Sequence, residues 1–597
     1  MNIFLRLTIL ASLALLIACA RIAAPGVAVV AESSAPSGTS VPPIVPSQPA
    51  PSVEARVSEG EPGKKESPEE RYSADLLYEV LVGEVAGQRG RLDVAVSSYL
   101  SAARASDDPK IAERATRVAI FARDENTALI AAQRWIELDP DSVEAHQALA
   151  ALYLHKGDQE RALSQVERVL ALTGGETDRG FALIAGWLSR EPDQAAALEL
   201  MGRVVDRYPD SPDALLAYAQ LAVRANQPAL ALEKVENALK LKPEWTDLHL
   251  LRAQIRIRQG EMEQAVAEME QAVAANPQDT KLRLTYARLL VEAQRLNEAR
   301  SQFELLAQQS PGNPDVLYAL GLLALDAKHM DDAQRYFSEL AGLGQRVDEA
   351  HYYLGRIAED QERFTEARHW YAKVPQGEYY LEAQIRIASL LAKEDNMRGA
   401  RDHLQGLRMQ DPDSAVRIYL AEGEILNEVG RSQEAMTLYS EAILLFPDSN
   451  DLLYARALLA EQLDQLDVTE RDLRKVLERD PDNAHALNAL GYTLADRTDR
   501  YAEAAEYIAR ALELLPDDPA VIDSMGWVQY RLGNHEESLK HLRRAFQMSG
   551  DAEIAAHLGE VLWVNGRRDE AREIWAQGMK KDPKNRVLVE VMKRFNP

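Results

Sequence analysis

Tyr318-Ala319-Leu320-Gly321 is followed, twelve residues beyond its glycine, by Ala333, and the same spacing joins Gly355 to Ala367 in the next stretch. Working outward in both directions, small residues twelve apart recur as Ala287/Ala299, Ala253/Ala265, Ala219/Ala231, Ala185/Ala197, Ala150/Ala162, Ala119/Ala131 and Gly83/Ala95. Toward the C-terminus they recur as Ala388/Ala400, Gly423/Ala435, Ala457/Thr469, Gly526/Ser538 and Gly559/Ala571, with Gly491/Ala504 one residue wider. Fifteen units result, with an average period of 34 residues. A proline falls twelve or so residues further on in many units, as Pro209, Pro243, Pro277, Pro311, Pro412, Pro447, Pro481, Pro516 and Pro583.

That spacing has a direct physical reading. Two antiparallel helices of about a dozen residues approach most closely where side chains are small, so the first small residue of each pair faces the second across the helix interface. The proline stops the second helix and opens the link to the next pair. A 34-residue unit with small residues at positions 8 and 20 and proline at 32 resembles the tetratricopeptide repeat. The resemblance runs from about Leu76 to Asn585, is tightest at Asn488-Ala489-Leu490-Gly491-Tyr492, and is looser near Gly83, Ala119 and Ala457. HEAT and armadillo units would need about 40 residues or more. The fold expected is therefore all-α, a right-handed α-solenoid of about fifteen helix pairs forming one domain with a concave inner face. Val587, Leu588, Val591, Met592 and Phe595 supply the apolar face of a C-terminal capping helix over 586–597.

Composition agrees. Of 597 residues, 46% are apolar but only 6% aromatic, so aliphatic residues carry the hydrophobicity, as packed helices require. Asp and Glu number 94 against 68 Lys and Arg, and the net charge of −26 argues against a nucleic-acid surface. A single cysteine excludes an internal disulfide and every paired-cysteine metal or redox motif.

That cysteine sits at the end of an apolar run. Arg6 precedes the segment Leu7 to Ala20, too short for the roughly 20 residues of a membrane span and of signal-peptide type. Leu16-Ile17-Ala18-Cys19 resembles the lipobox of bacterial lipoproteins, which implies cleavage before Cys19 and acylation of its amine and thiol. Several acyl chains anchor stably where one binds only marginally. By the same resemblance, Ala20 after the cysteine implies sorting to the outer membrane. Residues 19–71 are rich in Pro, Ser and Ala without helical period and read as a tether, which leaves 1–18 as signal and 72–585 as repeats.

Catalytic motifs appear only as near misses. His535-Glu536-Glu537-Ser538-Leu539 has leucine where a zinc-protease helix needs its second histidine. Gly342-Leu343-Gly344 lacks the third glycine of a dinucleotide loop, and Gly60, Gly63, Lys64 and Lys65 follow no strand. No catalytic, metal or cofactor-binding residue is assigned. In the family that the repeats resemble, first helices line the groove, and several relatives grip a C-terminal carboxylate with Lys and Asn. No unit here carries that pair. The face instead offers Tyr318, Tyr352, Tyr454, Tyr492, Trp527, Tyr530 and Trp563 as a candidate peptide groove. Such rings either meet a partner or pack between units, and their spacing serves both.

Leu76 to Arg91, with Ala95, Tyr99 and Ala112-Glu113-Arg114-Ala115, looks like the start of a group of proteobacterial outer-membrane repeat lipoproteins. That group includes the lipoprotein partner of a periplasmic carboxyl-terminal processing protease, which it activates and supplies with cell-wall (peptidoglycan) hydrolases. The resemblance implies a non-catalytic adaptor that faces the periplasm. A scaffold for outer-membrane protein, pilus or exopolysaccharide assembly and export shares the fold and stands as the alternative.

Overall fold

The computed structural model describes residues 74–173 and 177–595; Cys19, the signal segment and the tether lie outside the described residues. Within them are 31 helices and no strand, arranged as fifteen antiparallel pairs and a final helix, Arg586–Phe595. The fold is an all-α repeat solenoid. None of the described helices is long and apolar enough to cross a membrane.

The sequence rules for the pairs have visible causes. Ala95, Ala162, Ala231, Ala299, Ala367, Ala435 and Ala504 are wholly buried, each on the second helix of its pair. Where the alanine is replaced, Thr469 sends its hydroxyl to the carbonyl oxygen of Ala457, its own partner position, at 3.1 Å. Each recurrent proline lies two residues beyond the last residue of a second helix, as Pro209 does after Arg207 and Pro447 after Leu445. First helices start on side-chain caps: Ser142, Ser211, Asp279, Asn313, Ser449 and Asn483 each accept a backbone N–H of the first turn.

The turn between the two helices of a pair repeats one device. A residue with left-handed backbone stands there as Gly157, Gly260, Gly430, Gly533 and Gly566, but also as Arg123, Asn226, Gln294, Lys328, Glu362, Asp395 and Asp464. The wider unit departs from it: Thr498 is extended at φ −140°, and its hydroxyl accepts the N–H of Arg500 at 3.1 Å, which takes up the extra residue between Gly491 and Ala504. One second helix is cut short. Phe364–Tyr371 has 8 residues because Pro375 cannot continue it and disfavours helical backbone at Val374.

Within the repeat array the chain divides into two compact units, the first ending at Ala333 and the second beginning at Gln334. Neighbour-only packing gives no compositional mark at such a division. In the second unit, the first helices Tyr380–Lys393, Ala415–Glu428, Asn450–Gln462, Ala484–Arg497, Pro519–Arg531 and Ala552–Val564 pack side by side in succession and form one wall.

Buried charges tie this unit together in pairs. Arg401 and Arg408 both reach Glu422, which is 1% exposed, at 3.0 and 2.6 Å. Arg456 clasps Asp472 with two hydrogen bonds, of 2.7 and 3.0 Å.

Candidate partner-binding surface

The wall of first helices carries five of the seven aromatic residues of the candidate groove; Tyr352 stands on the first helix Val347–Asp360 of the same unit, and Tyr318 on the first helix Pro314–Asp326 of the other unit. They do not form one exposed series. Tyr318 is buried. Tyr352 is buried in a knot of rings with Tyr353, Tyr371 and Tyr379, at centroid distances of 5.4, 5.9 and 4.9 Å. Trp563 packs on Trp575 and Phe595 beneath the guanidinium groups of Arg568 and Arg572, so it fastens the terminal helix.

Tyr492, Trp527 and Tyr530 belong to a polar network that crosses three first helices. The imidazole of His557 donates from Nδ1 to Asp523 at 2.8 Å and from Nε2 to the Tyr492 oxygen at 3.3 Å. The Tyr492 hydroxyl in turn donates to Glu553 at 3.5 Å. Trp527 stacks on the same imidazole, 4.4 Å between centroids, and its indole N–H donates to Asp496 at 3.2 Å. Tyr530 rests against Trp527 and donates to Glu560, which also pairs with Arg594 of the terminal helix. Burial opposes a charge on His557, but the carboxylates of Asp523, Glu553 and Asp496 outweigh it and raise its pKa to about 9. Burial pushes the carboxyl of Glu553 the other way from full ionisation, raising its pKa. The His557 ring is enclosed, and the network ties three first helices of the wall together.

Tyr454 is placed differently. It borders a cavity of about 450 Å³ between the Ala415–Glu428 and Asn450–Gln462 helices. Leu420, Tyr439, Ala455, Leu458 and Leu459 give it an apolar lining, and Glu424, Asn427, Asp451 and Gln462 complete it. Its floor depends on a residue pairing that the sequence reading missed. Gly423 has no side chain because the Tyr439 ring fills that space, and the Tyr439 hydroxyl donates to the Leu420 carbonyl at 3.2 Å. The same fit recurs as Gly83 with Tyr99, Gly355 with Tyr371 and Gly559 with Trp575. The signal was available in the sequence as a large aromatic sixteen residues after the glycine.

Comparisons with known proteins agree with the helix pairs. Models of the family described as "Tetratricopeptide repeat" match residues 131–164, 193–245, 256–323, 318–379, 454–519 and 524–586. A TPR repeat-containing protein of Pseudomonas aeruginosa is 40% identical over 491 residues, 82% of this chain and 82% of that protein. Among solved structures, a thermophilic TPR protein of Thermus thermophilus is 23% identical, with a TM-score of 0.28, and covers 30% of this chain and 99% of its own. Yeast Tom70 is 14% identical, with a TM-score of 0.30, over 87% of this chain and 94% of its own.

Proposed function

We propose a function from one premise: the chain belongs to the family of tetratricopeptide-repeat proteins. Proteins of this family generally act as protein-interaction scaffolds. This one is a non-catalytic adaptor, held at the bacterial outer membrane by lipid on Cys19 and working in the periplasm. It brings together a periplasmic carboxyl-terminal processing protease and the peptidoglycan hydrolases that the protease degrades.

The observation that carries the adaptor class is the side-by-side wall of first helices in the second unit, braced from within by His557 and opened at Tyr454 by a cavity. A braced wall with an opening of this kind suits recognition of a partner segment, because little order has to be imposed when the segment binds. The resemblance of the N-terminal segment to lipoproteins supports the anchor and location.

The test is crosslinking of intact envelopes followed by recovery of the full chain. Co-recovery of one protease with one or more wall hydrolases is expected, and addition of the purified chain accelerates hydrolase degradation by that protease. Recovery of outer-membrane, pilus or exopolysaccharide assembly components without a protease replaces the protease assignment by the alternative. Recovery of no protein overturns the scaffold reading itself.

A further inference from the structure

We propose that the cavity beside Tyr454 receives one large apolar side chain of an extended partner segment in which a lysine or arginine stands next to it. The inference rests on the scaffold reading and adds the chemistry of what is bound. Three observations carry it.

The first is the cavity itself. Its volume of about 450 Å³ lies within the roughly 300–1,000 Å³ of small-ligand clefts. The lining from Leu420, Tyr439, Tyr454 and Leu459 is apolar, and the Tyr439 ring is fixed from both sides, by Gly423 below and by its hydroxyl on the Leu420 carbonyl. The pocket is preformed and does not have to be paid for by rearrangement.

The second is the charge at the mouth. Glu424 and Asp451 both line the cavity, and no lysine or arginine does. The contrast with Glu422 is informative: two positions before Glu424 in the chain, it is buried and met by both Arg401 and Arg408. Neither Glu424 nor Asp451 has an ion pair among the described residues. Around Glu424 the charges are of its own sign: partial burial first, and then Glu428 and Glu382, hold its carboxyl above its usual range. A cation arriving there meets uncompensated negative charge, within a chain of net charge −26.

The third is a hydrogen-bonding edge. Asn427 donates from its side-chain amide to Gln462 at 3.2 Å while accepting from Ser432 at 2.6 Å. The Gln462 amide nitrogen is left to donate to a backbone carbonyl of a segment lying across the two helices. An apolar pocket, an anionic mouth and a side-chain amide donor for a backbone carbonyl together specify a peptide rather than a free hydrophobe.

The experiment is selection of a random 12-residue peptide display on the full chain in detergent, followed by affinity measurement with synthetic fluorescent copies of the enriched peptides. Enrichment of Phe, Trp or Leu with Lys or Arg beside it is expected. Ala455→Trp, which fills the cavity, weakens these peptides by about tenfold or more. Glu424→Lys combined with Asp451→Lys, both at exposed positions, also weakens them by about tenfold, and restores binding to copies whose cation is replaced by Glu. That exchange of preference cannot arise from misfolding. Enriched peptides without the pattern, or affinities within about twofold of wild type in both variants, overturn the proposal. So does a dimer of the full chain that the doubly charged variant dissociates, since the occupant is then a second copy. In the envelope crosslinking, equal recovery of partners by wild type and by the charge-reversed chain refutes the cavity alone. Patterned peptide binding with no envelope partner refutes the scaffold reading alone.

Discussion

His557 and Asp523 are joined by a hydrogen bond of 2.8 Å between first helices of consecutive pairs, 34 residues apart in the chain. The bond is strongest when the imidazole is charged, and His557 is raised to about 9 from an ordinary 6.5. A raised cationic group stabilises the fold fully below its unfolded pKa, and that contribution disappears as pH climbs through the folded value. Amide exchange within 484–564 is therefore expected to speed up between about pH 6.5 and pH 9.5 beyond the intrinsic chemical rate, by on the order of 3 kcal/mol of local stability. His557→Gln should flatten that dependence. Equal pH profiles for the two chains would contradict the charged pair.

Trp527 and Tyr530 lie three residues apart, yet truncation of each should differ in cost. Trp527→Ala removes a buried indole together with its bond to Asp496, so about 3–5 kcal/mol of stability should be lost. Tyr530→Ala removes a half-buried ring and should cost about half as much. Denaturant titration followed by tryptophan fluorescence and by exchange of the last three pairs distinguishes them. Equal, negligible losses would return Trp527 to an exposed partner-binding role.

Glycine positions give a contrast within one residue type. A Cβ on Gly559 would overlap the Trp575 indole, which is wholly buried, so Gly559→Ala should destabilise by about 1–3 kcal/mol. Gly406 lies within the Met397–Gln410 helix and has nothing within 4 Å of the corresponding point. Gly406→Ala should stabilise by about 0.5–1 kcal/mol. Thermal melts of the two variants need only show opposite signs.

The Arg456–Asp472 clasp should be costly to halve and cheap to remove. Arg456→Met leaves Asp472, 1% exposed, with only Arg471 beside it, and about 3–5 kcal/mol should be lost. Arg456→Met with Asp472→Leu should recover most of that. A double variant as unstable as the single one would show that the pair contributes more than mutual neutralisation.

Cys19→Ser should abolish acyl labelling and leave the signal segment attached or the chain mislocalised. Labelling that survives the substitution would remove the lipid anchor from the proposed function.

Fold and site were unequally legible. Period and pairing came directly from close helix approach, which admits only small residues at Ala367 or Ala435, and from prolines that end second helices. Chain order conveyed much less about the aromatic residues. Tyr352, Trp527 and Tyr454 all stand on first helices, and only the neighbouring side chains decide that two are covered and one borders a cavity. His557 carried no sequence signal at all, because its partners come from three pairs. Tyr439 could have been found, since Gly423 sixteen residues earlier marks the space its ring takes.

The left-handed turns separate two properties that many folds keep entangled. Asn226, Asp395 and Asp464 tolerate that backbone, but Arg123, Gln294, Lys328 and Glu362 hold it against a preference of about 1–2 kcal/mol per residue. Those four sit between helices, and none of them lines the Tyr454 cavity or joins the His557 network. Glycine at any of them would firm one repeat, and because repeats touch only their neighbours the gain would stay local. Robustness can thus drift turn by turn during evolution while the recognition surface keeps its own pace of change.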